Sequence, residues 1–225
     1  IKLDGSAPAL LTAYGSHGVV SHPSFGISRL IYLENGGIHA VANIRGGGEF
    51  GKEWHDAAKC LTKHISTLDF IAAADALVEK NFTSKNKLGI TGGSSGGRLV
   101  AEAINLRPDL CKVCIPIVGT MDMLRFPKFT IGYAWMDEYG NPEKEAELQC
   151  LLKTSPLHNI KENGNYPAVL VIATDHDDRV YPAHSYKYTA ELQAKNKENK
   201  NPLLIKVKTK QGHGTSQLSQ AIEHA

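Results

Sequence analysis

The sequence predicts an α/β fold, a mostly parallel sheet with helices on both faces. Three observations carry that expectation. Six short apolar runs recur along the chain, and stretches of helical length separate several of them. The 225 residues also suit one large domain better than two small ones.

The runs are PALLTAY (8–14), IHAVANI (38–44), KLGIT (87–91), VCIPIV (113–118), AVLVIAT (168–174) and LLIKVKT (203–209). Most are near-continuous hydrophobics of strand length, as strands covered on both faces should be. Between the second and third, Ser66–Lys80 places Leu68, Ile71, Ala72, Leu77 and Val78 on one apolar side, with Ser66-x-x-Asp69 as its expected capping box. Further helices are expected over 95–106, 184–195 and 216–224. The segment 119–160 is less regular, with Tyr133, Trp135, Tyr139 and a charged stretch around Glu143–Glu147. It reads as an excursion on the carboxyl edge of the sheet, where ligand sites of such folds usually lie.

Composition narrows the function classes. With 42% hydrophobic and 21% charged residues the chain is an ordinary folded domain. A formal charge of +2 gives no electrostatic reason to expect nucleic acid or an anionic membrane as partner. The apolar runs are far too short to span a bilayer, and no basic-then-apolar signal opens the chain. Cys60, Cys111, Cys114 and Cys150 are too few and too scattered for a disulfide scaffold. Cys111-x-x-Cys114 has no second pair at zinc spacing and lies against VCIPIV, so core packing is expected of it rather than redox or metal chemistry. This cysteine usage points to the cytoplasm. The chain begins at Ile1, which suggests a processed product or a piece of a longer protein.

Two phosphate-binding patterns fail on inspection. Gly46-x-Gly48-x-x-Gly51 follows an apolar run, but the acidic residue at the right distance, Asp69, falls inside a helical stretch where it cannot hold a ribose. In GGGEFGKE, Glu53 stands where a magnesium-binding hydroxyl should be, and its charge would repel phosphates. What remains is a glycine-rich loop that must turn tightly.

The stronger pattern is KLGITGGSSGGRLVAEAI from Lys87, a strand running through Gly92-Gly93-Ser94-Ser95-Gly96-Gly97 into a helix. This is the nucleophile elbow G-x-S-x-G in strand–turn–helix context, the hallmark of the α/β-hydrolase fold. Ser94 and Ser95 both satisfy it, and spacing does not choose between them. A nucleophilic serine needs a base, and the base an orienting carboxylate, in the chain order Ser, Asp/Glu, His after successive strands. Asp175, Asp177 and Asp178 follow AVLVIAT, and Gly212-His213-Gly214 follows LLIKVKT. His213 is the expected base; the three aspartates stay equivalent by this argument.

At these residues the chain resembles the catalytic domain of the prolyl oligopeptidase family of serine peptidases. The resemblance covers nearly all of the chain and rests on IRGGGEFG, GGSSGG, RPDL, MDML, the block from Phe129 to Gly140, SPLHN, DHDDRV, NPLLI and GHG. It implies Ser94 as nucleophile, Asp177 as acid and His213 as base. It further implies an oxyanion hole from the Ser95 N–H and the Tyr14 hydroxyl. Trp135 matches the indole that stacks on the substrate proline, Arg179 the arginine that binds the substrate backbone, and Tyr139, Ile131 and Val180 other pocket positions. His17 stands where the family places a phenylalanine of that pocket, and Ser95 where asparagine is usual. YGSHG is closer to YGSYG of the related oligopeptidase B, which cleaves after basic residues.

The implied activity is hydrolysis of short peptides after proline, with no metal or organic cofactor. Cleavage after basic residues, and a non-catalytic binding protein on the same scaffold, are the alternatives. The family's gating β-propeller is not encoded in these residues, so 1–225 reads as the catalytic domain of a longer protein, incomplete at both ends.

Overall fold

A computed structural model of the chain describes residues 2–214. The expected helix at 216–224 lies outside the described residues. Each of the six apolar runs forms a strand: β1 (Ala9–Thr12), β2 (Ile38–Val41), β3 (Leu88–Gly93), β4 (Val113–Ile117), β5 (Ala168–Thr174) and β6 (Leu203–Lys208). They build one all-parallel sheet in the order β2-β1-β3-β4-β5-β6. All carboxyl ends therefore open on one edge. The chain winds outward from β1 to β2 and then returns to the other side of β1 as β3, so the strand order reverses between β1 and β3. A crevice opens at such a switch point.

The helices are α1 (Ile27–Glu34), α2 (Lys52–Asp56), α3 (His64–Glu79), α4 (Ser95–Leu106), α5 (Met136–Tyr139), α6 (Glu145–Thr154) and α7 (Ala183–Lys195). With the right-handed crossovers that parallel strands require, this order places α3, α4 and α7 on one face and α1 on the other. Helix α4 is buried from Ser95 to Asn105 and packs between α3 and strands β3 and β4. The main core joins Leu11, Leu88, Ile90, Val169 and Val171 of the sheet to Phe70, Leu99, Ile104, Tyr188 and Leu192 of the helices. The excursion after β4 has a small core of its own, Met123, Phe126, Tyr139 and Leu151, against which Trp135 packs.

The capping box expected at Ser66 does not form. Helix α3 starts two residues earlier, at His64. Ser66 is buried in its first turn and donates to the Arg45 carbonyl at 2.7 Å. Asp69 accepts from the Arg45 amide at 3.1 Å and from its guanidinium at 2.8 Å. Both side chains serve the glycine-rich loop rather than the helix end. That loop turns tightly, as expected: Gly46 has φ +97°, and a Cβ there would lie 2.3 Å from the Gly15 carbonyl oxygen. Helices α1 and α2 escape the sequence pattern for different reasons: α2 is only five residues long, and in α1 none of the described side chains is buried, with Ile27, Leu30, Ile31 and Leu33 all exposed. Cys111 and Cys114 are free and buried, and burial pushes both thiols up, Cys111 to about 12.

Candidate active site

Ser94 follows β3 and is the N-cap residue of α4, with φ 56° and ψ −120°, a conformation that ordinary residues avoid. The small neighbours are a steric necessity. A Cβ on Gly92 would lie 2.3 Å from the Gly96 carbonyl oxygen, and one on Gly96 would lie 2.6 Å from that of Ala13. The Ser94 amide donates to the Ile117 carbonyl at 2.8 Å, tying the turn to the end of β4. Ser95 is buried, and its Oγ accepts from the Tyr139 hydroxyl at 2.9 Å. Of the two serines, Ser94 lines the cleft.

The loop after β1 brings Tyr14 to the same place, across the switch point from Ser94. Burial raises the Tyr14 phenol above its usual range, while a hydrogen bond with the Ser94 side chain works the other way. The hydroxyl therefore stays protonated at neutral pH and is available as a donor.

The loops after β5 and β6 supply the other two groups. Asp177 is buried, and its Oδ1 accepts from the amides of Arg179 at 3.0 Å and Val180 at 2.8 Å. Its Oδ2 meets His213 Nδ1 at 2.8 Å. This pairing separates the three aspartates: Asp175 is taken by His176 Nδ1 at 2.7 Å, and Asp178 is exposed. Among the described residues Asp177 and His213 are hydrogen-bonded, and Ser94 and His213 are not. Catalytic contacts of this kind often tighten only around the substrate.

A cavity of about 340 Å³ beside Ser94 is lined by Tyr14, His17, Thr120, Ile131, Trp135, Tyr139 and Arg179. Trp135 is half-buried on the excursion, with Ile131 and Arg179 exposed at the rim. His17 stacks edge-on against Tyr139, ring centroids 5.4 Å apart, with Nε2 3.3 Å from the Tyr139 hydroxyl oxygen. Val180 is not on this lining: it is buried, and its amide holds Asp177. A larger groove of about 820 Å³ opens on the far side of Tyr14, between α1 and the ends of β1 and β2.

Sequence reasoning missed the charged layer beneath the site. Lys63 and Glu138 are both buried and pair at 2.6 Å, and His55 Nε2 lies 2.7 Å from the second Glu138 oxygen. Burial opposes the charge on Glu138, but Lys63 and the hydrogen bonds from Lys63, His55 and the His17 amide outweigh it and lower the carboxyl to about 2. Burial lowers Lys63 to about 8, still charged at neutral pH. Arg98 and Glu102, one turn apart on α4, form a second buried pair. Lys63 and Glu138 are 75 positions apart, so no local pattern could have joined them.

The model of the prolyl oligopeptidase family matches residues 23–225. The chain is 47% identical over 223 residues to a prolyl endopeptidase of Elizabethkingia meningoseptica, covering 99% of this chain and 32% of the relative. It is 45% identical over 213 residues to a prolyl endopeptidase of Dictyostelium discoideum, covering 93% of this chain and 28% of the relative. Among solved structures, prolyl oligopeptidase B of Galerina marginata superposes with a TM-score of 0.94 at 38% identity, over 99% of this chain and 32% of that one. The chain thus spans about a third of the length of the curated relatives it matches.

Proposed function

The chain belongs to the prolyl oligopeptidase family, and on that premise we propose that it is the catalytic domain of a serine peptidase that hydrolyses short peptides on the carboxyl side of proline. The observation that carries the reading is the 2.8 Å pairing of His213 Nδ1 with the buried Asp177, on the sheet edge where Ser94 occupies its strained turn.

Ser94 Oγ attacks the scissile carbonyl carbon, and its proton passes to His213 Nε2, the ring nitrogen left free by the Asp177 contact. Asp177 fixes the tautomer and stabilises the imidazolium. The carbonyl π electrons move onto oxygen, which takes hydrogen bonds from the Tyr14 hydroxyl and the Ser95 N–H. Each such donor is typically worth about 3 kcal/mol in the transition state. The C–N bond then breaks as His213 returns the proton to the leaving amine. Water, deprotonated by the same imidazole, cleaves the acyl-enzyme and regenerates Ser94. The chemistry requires no metal or organic cofactor.

Trp135 offers a flat apolar face that suits a pyrrolidine ring. Ile131 and Tyr139 narrow the cavity, His17 closes its rim, and Arg179 stands where it can donate to the substrate backbone. The gating β-propeller belongs, in this reading, to the rest of a longer cytoplasmic protein. No described helix is long and apolar enough to cross a membrane.

Fluorophosphonate labelling with peptide mapping, followed by fluorogenic peptides differing only in the residue before the cleaved bond, tests the proposal. A single adduct on Ser94, lost in His213→Ala, with proline preferred over arginine, is the expected result. An adduct on Ser95 overturns the register, and preference for arginine overturns the substrate class. A folded chain that takes no label supports a binding scaffold instead.

A further inference from the structure

We propose that the buried Lys63–Glu138 pair is a positioning device that holds both oxyanion donors, Tyr14 and Ser95, in register across two different strands. The inference rests on the reading of those two residues as the oxyanion hole.

The two donors sit at the ends of neighbouring strands, Tyr14 after β1 and Ser95 after β3. Their spacing is therefore a tertiary quantity that no single turn sets. The loop carrying Tyr14 runs through the left-handed region at Gly15, His17 and Gly18, with φ of 60°, 55° and 63°; the glycines adopt it freely, and His17 does not. A left-handed non-glycine residue such as His17 is disfavoured and persists only where its surroundings over-determine it.

Glu138 and Lys63 supply that determination. Lys63 Nζ donates to the Gly15 carbonyl at 2.9 Å, one residue beyond Tyr14. Its other contacts are Glu138 at 2.6 Å and the Ala58 carbonyl at 3.2 Å. Glu138 Oε1 accepts from Ser16 Oγ at 2.9 Å, and its carboxylate also takes the His17 amide. Three consecutive loop residues, Gly15, Ser16 and His17, are thus bound by one ion pair. The next residue after Glu138 is Tyr139, whose hydroxyl donates to Ser95 Oγ at 2.9 Å. The same short helix that grips the Tyr14 loop therefore also grips the head of α4. Lys63 Nζ and the Arg98 guanidinium each lie 5.7 Å from the Tyr139 ring centroid, so the same lysine also touches the ring that holds Ser95.

A buried pair of this kind is a poor source of stability, because desolvation offsets most of the attraction. Replacing both partners with apolar groups is often neutral or stabilising. What apolar groups cannot do is hold the Gly15 carbonyl, the Ser16 hydroxyl and the His17 amide in fixed directions. Stability and positioning therefore separate on double substitution.

The test uses the full chain labelled with 3-fluorotyrosine, the Tyr14 resonance being assigned by its loss in Tyr14→Phe. The variants are Lys63→Met, Glu138→Gln and the double Lys63→Met/Glu138→Leu. Urea midpoints, the Tyr14 fluorine shift, and kcat and KM for a proline peptide are read together. In Lys63→Met and in the double variant the Tyr14 resonance moves, and kcat falls about tenfold to a hundredfold with KM nearly unchanged. The double variant regains the urea midpoint lost in the single ones without regaining kcat. Glu138→Gln, which keeps an acceptor for Ser16 and His17, lies between wild type and Lys63→Met. An unmoved Tyr14 resonance in a folded variant, or kcat recovering together with the midpoint, overturns the proposal. If the wild-type chain turns over no peptide, the proposed function fails, and the fluorine shift still decides the positioning claim.

Discussion

Tyr139 donates its hydroxyl proton to Ser95 Oγ at 2.9 Å, from a residue 44 positions further along the chain. Both groups are buried, and burial pushes the Tyr139 phenol up to about 12, so the donor keeps its proton across the working range. The bond turns the Ser95 side chain into the protein and leaves Ser94 facing the cleft. One hydrogen bond thus divides two serines that the local sequence treats alike.

Substituting the two serines should expose that division. Ser94→Ala is expected to abolish fluorophosphonate labelling with no loss of stability. Ser95→Ala is expected to label still and to unfold about 1 kcal/mol more easily, because the buried Tyr139 hydroxyl loses its acceptor. Peptide mapping and urea titration of the two variants read both effects.

Asp177→Asn is expected to reduce kcat by about three to four orders of magnitude with the fold intact. The asparagine oxygen would still accept the Arg179 and Val180 amides, which turns its NH2 towards His213 Nδ1. The ring is then forced into the tautomer with the proton on Nε2, and that nitrogen can no longer take one from Ser94. Asp175→Asn serves as the control, since Asp175 faces His176 and the Gln211 amide instead. Its turnover should stay within about threefold of wild type.

Trp135→Ala should act mainly on substrate choice. Trp135 lines the cavity from its half-buried seat against Met123, Phe126 and Tyr139. Losing its ring face is expected to lower kcat/KM for proline peptides by about tenfold to a hundredfold relative to alanine peptides. Paired assays on peptides differing only at that residue measure the ratio.

Acid stability should depend on His184, at the start of α7. Burial lowers its imidazole to about 4, Lys187 adds to that, and Asp122 and Asp177 oppose it. Its Nδ1 accepts the Asp122 amide at 3.1 Å, a role only the neutral ring can fill. The folded value lies below the unfolded one of about 6.5, so between these two the unfolded chain binds more protons. This contribution is complete above pH 6.5 and is lost as pH falls towards 4, amounting to about 3 kcal/mol. His184→Asn keeps an acceptor for the amide and does not titrate. Its urea midpoint should fall less steeply over that window than that of wild type.

The strands and the elbow were legible because their determinants are local. An apolar run of strand length needs no distant partner to be recognised, and the glycines around Ser94 are required by contacts within the turn and its neighbouring strand ends. The misreading at Ser66 has the opposite origin. Ser66 and Asp69 have the spacing of a capping box, but the Arg45 loop, packed against them from elsewhere in the chain, takes both side chains.

By itself, then, the chain's order of residues determined six strands in a mostly parallel sheet, a serine elbow after β3, and an acid and a histidine after later strands. Periodicity, glycine sterics and chain order all act over a few residues, and all can be read along a line. Spacing left open which serine faces the cleft and which of three aspartates meets His213, points on which only the family resemblance spoke for Ser94 and Asp177. The contacts that make both choices, and those that hold the Tyr14 loop, belong to the tertiary structure. Each is a hydrogen bond or ion pair between groups 36 to 122 positions apart. Such partners meet only when the sheet has brought its strand ends to one edge, and the directionality of a buried polar contact then selects one side chain among chemically equal neighbours.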